Sequence, residues 1–256
     1  MVARAQASTL PPANAGYLEP AYWDARFSEE ETYEWFREYE SFRHLVERSC
    51  APSSRILVVG CGNSRLSEDL VTVSGLQNVT STDLSEVVVE RMRAAALARG
   101  VPEVTWAVAD MLALPFPEAS FDVIIEKGTL DVFLVDNVDP WSVEPGIAAR
   151  VACVLQECHR VLTPTGALLS VTFSAPHFRR PLLARGRFTW RVACDTFGGE
   201  WAYHFYTCRK GLKREDEVDV SAAPLKVAAP RDSMHEGMDE EGFLSRTLLD
   251  ASDDEG

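Results

Sequence analysis

The chain has 256 residues, 46% of them hydrophobic and 25% charged, with a formal net charge of −14. That length supports one α/β domain with a full core and modest extensions, and no apolar run approaches the roughly 20 residues needed to cross a bilayer. The acidic balance disfavours a general nucleic-acid binder, because neutralising phosphates takes clustered Lys and Arg.

Met1 to Ala15 is rich in Ala and Pro, lacks the apolar core of a secretion signal, and reads as a disordered leader. Arg4, with no acid before Glu19, leaves organelle import as a minor alternative to the cytosol. Residues 16–50 form an aromatic, acidic segment in which Tyr22/Arg26 and Trp35/Tyr39/Phe42 fall at helical spacing, as expected of a helical lid. From residue 51 to 210 strands and helices alternate, which predicts a mostly parallel sheet covered on both faces. The expected strands are Arg55–Val59, Val79–Asp83, Val104–Val108, Phe121–Ile125 and Ala167–Phe173; the expected helices are Arg65–Val73, Ser85–Arg99 and Ile147–Leu162. Ser85 is placed to cap a helix and Gly100 to stop it. Two further β-rich runs, Phe188–Cys194 and Trp201–Cys208, flank Phe197-Gly198-Gly199-Glu200, which signals a hairpin. The tail, residues 211–256, holds 13 acidic and 5 basic side chains, so −8 of the −14 lies there. The six cysteines show no C-x-x-C pair and no disulfide spacing, as in the reduced core of a cytosolic protein.

The chemistry concentrates at the expected strand ends. Ile56-Leu57-Val58-Val59-Gly60-Cys61-Gly62 is a buried strand that turns sharply into a helix, and both glycines let backbone approach a ligand. Asp83 ends the next strand, where a carboxylate can grip two ribose hydroxyls. Asp110 and Met111 follow strand three, where they can take an adenine amino group and stack on its ring. Each aspartate also has a plain alternative as a helix cap. Arg65 stands where a dinucleotide fingerprint wants its third glycine, and a carboxylate-rich site would repel a pyrophosphate but suit a cation. Five parallel strands followed by an antiparallel hairpin resemble the Rossmann-like seven-stranded sheet of the class I S-adenosylmethionine-dependent methyltransferases. S-adenosylmethionine is therefore the expected cofactor, with no metal.

The likeness narrows further. Gly16-Tyr17, Tyr22-Trp23-Asp24-Ala25-Arg26-Phe27, Tyr33-Glu34-Trp35-Phe36, Leu57–Ser64, Phe121–Asp131 with its Glu126-Lys127-Gly128-Thr129-Leu130-Asp131 block, and Ser174-Ala175-Pro176-His177-Phe178 resemble the elongation factor 1-alpha lysine methyltransferases. The resemblance spans roughly residues 16–210, taken as one methyltransferase domain with the lid at 16–50. It implies that Trp23, Phe27 and Tyr33 wall the cofactor, that Gly60 approaches its methionine portion, Asp83 and Leu84 its ribose, Asp110 and Met111 its adenine, and that Lys127 lies beside it, with Gly62 counted among the cofactor-binding residues. Phe27 departs from the tyrosine usual in the family, which removes a hydroxyl and keeps the ring. The implied partner is translation elongation factor 1-alpha; charge and hydropathy argue against a stable nucleic acid or a membrane, and the sequence does not fix the oligomeric state, a monomer being the favoured expectation.

A lysine nucleophile must lose its proton against an ordinary pKa of about 10.4. An apolar, aromatic pocket lowers that value, and a carboxylate can orient the ammonium and pass its proton to water. Glu126 and Asp131 are the candidates for this carboxylate. Asp131 could instead cap a helix, and Lys127 could neutralise Glu126 or bind the cofactor carboxylate. His177 and Phe178 could shape the lysine channel. Arg179, Arg180, Arg185, Arg187 and Arg191, with no intervening acid, read as a solvated hairpin face or a docking patch. The rival functions are a methyltransferase of a small molecule or another protein, a non-catalytic binding module of the same fold, and a nicotinamide oxidoreductase.

Overall fold

In β1 (Arg55–Val59) the four residues Ile56, Leu57, Val58 and Val59 are almost wholly buried. A strand buried on both faces needs layers above and below it. Alternation along the strand sends Ile56 and Val58 into one core and Leu57 and Val59 into the other. In this computed structural model the described residues are 11, 13–139, 142–185, 188–199 and 201–211. Most of the expected leader, Arg187, and the acidic tail from residue 212 lie outside them.

β1 pairs in parallel with β2 (Asn78–Asp83) on one side and with β4 (Phe121–Lys127) on the other. β3 (Thr105–Val108) continues beyond β2, and β5 (Leu162–Thr172) beyond β4, both parallel. β7 (Tyr203–Lys210) then joins β5 antiparallel, with β6 (Trp190–Phe197) at the edge. The order is β3-β2-β1-β4-β5-β7-β6, the Rossmann-like seven-stranded sheet with a C-terminal antiparallel hairpin that the sequence leads one to expect. Strand order reverses between β1 and β4, and in such sheets ligands bind at the carboxyl ends of the strands beside that reversal.

The helices are α1 (Pro20–Glu29), α2 (Arg43–Glu47), α3 (Leu66–Thr72), α4 (Glu86–Ala98), α5 (Thr129–Val132), α6 (Pro145–Val161) and α7 (Pro176–Leu183). Ser85 caps α4, its Oγ accepting the Val88 N–H at 3.4 Å, and Gly100 ends it at φ +77°. α6 starts two residues before the expected Ile147, because Pro145 fits the first helical position with its preset φ. It buries Ala148, Val151, Ala152, Leu155 and Cys158, a stripe at helical spacing.

Three expectations need correction. β4 runs on to Lys127 instead of stopping at Ile125, because Glu126 and Lys127 pair with Ser170 and Val171 of β5. β5 begins at Leu162, not Ala167: an irregularity between Phe121 and Val123 lets Leu162 pair with Phe121, and Gly166 fits where a Cβ would lie 2.9 Å from the Asp122 carbonyl. The Trp35–Phe42 stretch is not helical. Phe36 and Arg37 sit at φ +57° and +97°, ahead of a 3-10 turn at Tyr39–Ser41. This left-handed turn lets Phe36 pack 5.3 Å from Phe173 while Phe42 is fully buried beyond it.

The cysteines are free thiols, with Cys61, Cys158 and Cys208 buried and Cys153 exposed. Burial pushes the Cys61 thiol up, away from nucleophile chemistry. Among the described residues no helix is long and apolar enough to cross a membrane.

Candidate active site

The turn after β1 holds Gly60 at φ +62° and Gly62 at φ +50°. A Cβ on Gly60 would meet the Thr129 side chain at 2.2–2.8 Å, and the Thr129 hydroxyl itself bonds to the Val59 and Gly60 carbonyls at 3.2 and 3.1 Å. A Cβ on Gly62 would stand 3.5 Å from the Phe27 ring, an ordinary contact. Gly60→Ala and Gly62→Ala should therefore share a backbone cost of about 1–2 kcal/mol. Gly60→Ala should cost more because Thr129 must move as well. Urea unfolding of the two variants checks this ranking, and equal midpoints would contradict it.

Asp83 sits across from the turn, its Oδ2 accepting the Gly62 N–H at 2.9 Å and its Oδ1 the Ser85 N–H at 3.0 Å. Its surroundings push the carboxyl above the usual range by burial, and the Ser85 and Gly62 N–H groups pull it part of the way back. So Asp83 does brace the entry to α4, and it also borders the cavity. Asp110 Oδ1 accepts the Leu112 N–H at 2.8 Å and Met111 is buried beside it, both on the same cavity.

The cavity measures about 400 Å³, inside the roughly 300–1,000 Å³ range of small-molecule sites. Gly60, Gly62, Asp83, Leu84, Asp110, Met111, Lys127 and Asp131 all line it, from the ends of four strands. The N-terminal segment closes the opposite side with Trp23, Phe27 and Tyr33. Trp23 stacks on Phe27 at 5.5 Å and its Nε1–H reaches the Tyr17 carbonyl at 2.8 Å. The Phe27 ring, 5% exposed, keeps its place without the hydroxyl. The Arg26 guanidinium stacks 4.9 Å from the Tyr33 ring and pairs with Glu30 through two 3.1 Å bonds. Asn14 also lines the cavity, from a 3-10 turn that begins inside the stretch expected to be a disordered leader.

Period-2 alternation puts Glu126 and Lys127 on opposite faces of β4. Lys127 Nζ bonds to Glu34 Oε2 at 3.0 Å and to the Trp35 carbonyl at 2.8 Å, so it does not neutralise Glu126. Burial lowers the Lys127 pKa, and Glu34 raises it part of the way back. Glu126 is the main correction. It is 1% exposed and does not line the cavity; its Oε2 accepts the Thr129 and Leu130 N–H groups at 3.1 Å, and Ser170 donates to its Oε1. Burial raises its pKa, the Arg179 charge lowers it and the Asp131 charge raises it. Glu126 thus caps the start of α5, off the cavity lining.

Asp131 lines the cavity from α5. Its Oδ1 accepts from Thr172 at 2.7 Å, Ser174 at 3.1 Å and Arg179 at 2.5 Å, whereas the buried Oδ2 has no hydrogen-bond partner. Arg179 is wholly buried on α7, so the arginine run is not a uniform solvated face. Its signal was available: Arg179, Leu182 and Leu183 fall at i, i+3 and i+4, the buried stripe of α7. Glu34 was also missed as a site residue; it ties the lid down by accepting from Ser64 at 2.7 Å and the Arg65 N–H at 2.6 Å as well as Lys127. His177 and Phe178 do not line the cavity. Among the described residues no group of three or more His, Cys, Asp or Glu could hold a metal ion.

These residues suit a cationic sulfonium nucleoside. The glycine turn and Phe27 both border the cavity, its walls are aromatic, and the acids that line it are Asp83, Asp110 and Asp131. A sequence profile described as a methyltransferase domain matches residues 57–170. The protein named EEF1A lysine methyltransferase 4 of Bos taurus is 42% identical to this chain over 228 residues, covering 88% of this chain and 86% of its own. Its Mus musculus namesake is 40% identical over 246 residues, covering 94% and 95%. Among solved structures, TrmN from Thermus thermophilus has a TM-score of 0.50 at 22% identity, over 66% of this chain and 47% of its own, a likeness of fold alone.

Proposed function

The chain belongs to the elongation factor 1-alpha lysine methyltransferase family, and from that premise we propose that it methylates a lysine of translation elongation factor 1-alpha in the cytosol, with S-adenosylmethionine as donor. The observation that carries the catalytic assignment is Asp131, a cavity residue with one oxygen triply bonded and the other left without a partner. When bound, S-adenosylmethionine supplies a methyl group on a sulfonium, open to in-line displacement by an amine.

The rest is the work of the chain's own side chains. Asp83 and Leu84 hold the ribose, Asp110 and Met111 the adenine, and Gly60 and Gly62 give room for backbone approach. Trp23, Phe27 and Tyr33 cover the site and keep water out. Lys127 spends two of its three N–H donors on Glu34 and Trp35, which leaves one for the donor carboxylate. Asp131 Oδ2 accepts an N–H of the incoming ammonium, orients it and relays its proton to solvent, while the aromatic wall favours the neutral amine. Holding the nucleophile in line is the larger part of the acceleration. Glu126 has no part in contact with substrate.

The test is reaction of the purified protein with labelled donor and whole-cell lysate, followed by mass spectrometry of purified elongation factor 1-alpha treated in the same way. We expect one labelled band at the factor's mass and a methylated lysine peptide. Label confined to other proteins or to small molecules would overturn the substrate, and no label together with no donor binding would overturn the enzyme.

A further inference from the structure

Arg179 has an unusual environment for a guanidinium. It is 0% exposed, yet only Nη2 is used, reaching Asp131 Oδ1 at 2.5 Å and Thr172 Oγ1 at 3.0 Å; Nε and Nη1 are buried without a partner. A buried ion left with unmet donors is less stable than a packed apolar side chain of similar volume. α7 already contributes Leu182 and Leu183 to the core, so packing alone does not call for a charge here.

The consequence falls on Asp131. Three donors converge on Oδ1, from Thr172 at the end of β5, from Ser174 just beyond it, and from Arg179 on α7. Ser174 is itself held, since its N–H reaches Thr172 Oγ1 at 2.9 Å and its carbonyl accepts the Tyr206 hydroxyl at 2.8 Å. A carboxyl group bonded on one oxygen only is free to swing about its last torsion unless that bond is strong and directional. An arginine N–H to a carboxylate is both. We infer that Arg179 is a positioning residue for methyl transfer: it clamps Asp131 Oδ1 so that Oδ2, buried and unpaired in the free protein, is the carboxylate oxygen left to accept from the substrate ammonium. This inference rests on the reading of Asp131 given above.

The experiment is a double-mutant cycle on the full chain with Arg179→Met, Asp131→Asn and the double variant, followed by single-turnover methylation of elongation factor 1-alpha and by calorimetry with the methyl donor. Arg179→Met is expected to lower kcat about 10–100-fold, the scale of a misplaced reacting group, while donor Kd changes by less than about threefold. Arg179→Lys, which keeps the charge and loses the planar fork, should recover part of that loss. In the Asp131→Asn background the Arg179 substitution should cost nothing further, because it acts through the carboxylate already removed. Wild-type kcat in Arg179→Met, or a full additional loss on top of Asp131→Asn, overturns the inference. Where Arg179→Met fails to fold, Arg179→Lys carries the same cycle: it must lower kcat alone and be silent beside Asp131→Asn. Wild-type turnover in Asp131→Asn overturns the reading of Asp131 itself, whereas an impaired Asp131→Asn with fully active Arg179 variants overturns only the role given to Arg179.

Discussion

Asp131→Asn is expected to lower kcat by about 10²–10⁴-fold, the range for loss of a positioned proton acceptor, with donor affinity nearly unchanged. The asymmetry follows from what each part of the cavity touches. Residues that would hold the donor come from the turns after β1, β2 and β3, from Lys127 at the end of β4 and from the lid, whereas the Asp131 partners are Thr172, Ser174 and Arg179 on β5, just beyond it and on α7. Asparagine keeps an acceptor for those three donors and replaces Oδ2 with an NH₂ that cannot accept from an ammonium. The change also leaves the buried Arg179 charge without its counter-charge; breaking such a pair costs about 3–5 kcal/mol. A fall in melting temperature is therefore expected, and the assay must be run well below the transition. Calorimetry with the methyl donor separates the two effects, since an unfolded protein loses both binding and turnover. Turnover within a few-fold of wild type, with donor binding intact, would remove Asp131 from the mechanism.

What the sequence reveals and what it hides divides along the range of the interactions. The Ser85 cap and the Gly100 stop are set by neighbours a few residues away, and the Gly60-Cys61-Gly62 turn and the end of β2 at Asp83, although joined to each other across 21 residues, each carry a local pattern of their own. Their chemistry shows in a short window: apolar run, glycine, carboxylate, cap. The hairpin likewise announces itself through Gly198, which sits at φ +102° where a Cβ would meet the Trp201 carbonyl at 2.4 Å.

The misjudged elements depend on partners far along the chain. Glu126 looks like a loop residue after an apolar run, and only Ser170, 44 residues later, shows that β4 continues through it. Lys127 finds its carboxylate 93 residues earlier in Glu34, a residue that reads locally as one more acid in an acidic segment. Arg179 hides among other arginines because its neutralising partner lies 48 residues away. Charge is a poor guide to exposure when the compensating group is distant in sequence, and buried ion pairs are therefore where a one-dimensional reading goes wrong. The family resemblance supplied the list of cavity residues, but it did not separate Glu126 from Asp131. Hydrogen-bond accounting does: Glu126 has both oxygens engaged, and Asp131 has one without a partner.

Asp83→Ala is expected to weaken donor binding by roughly 100-fold or more, since two hydrogen bonds from ribose hydroxyls to a carboxylate are worth about 1.5–3 kcal/mol each and 1.4 kcal/mol is tenfold in Kd. The structure adds a second effect that the strand-end position alone does not suggest. Asp83 also accepts the Gly62 and Ser85 N–H groups, so alanine leaves two backbone donors of the site unmet. Each orphaned donor costs about 1–3 kcal/mol where water cannot reach it, and the fold is not expected to be indifferent to the change. Asp83→Asn separates the two contributions. The amide retains one acceptor for a backbone N–H, sets an NH₂ against the other, and loses the negative charge that favours a cationic ligand. Calorimetry should then rank donor affinity as wild type above Asp83→Asn above Asp83→Ala, with melting temperatures in the same order. Donor affinity unchanged in Asp83→Ala would mean that the ribose lies elsewhere and that Asp83 serves only to brace the glycine turn against α4. Affinity lost in Asp83→Asn without any change in melting temperature would place its role wholly in the ligand.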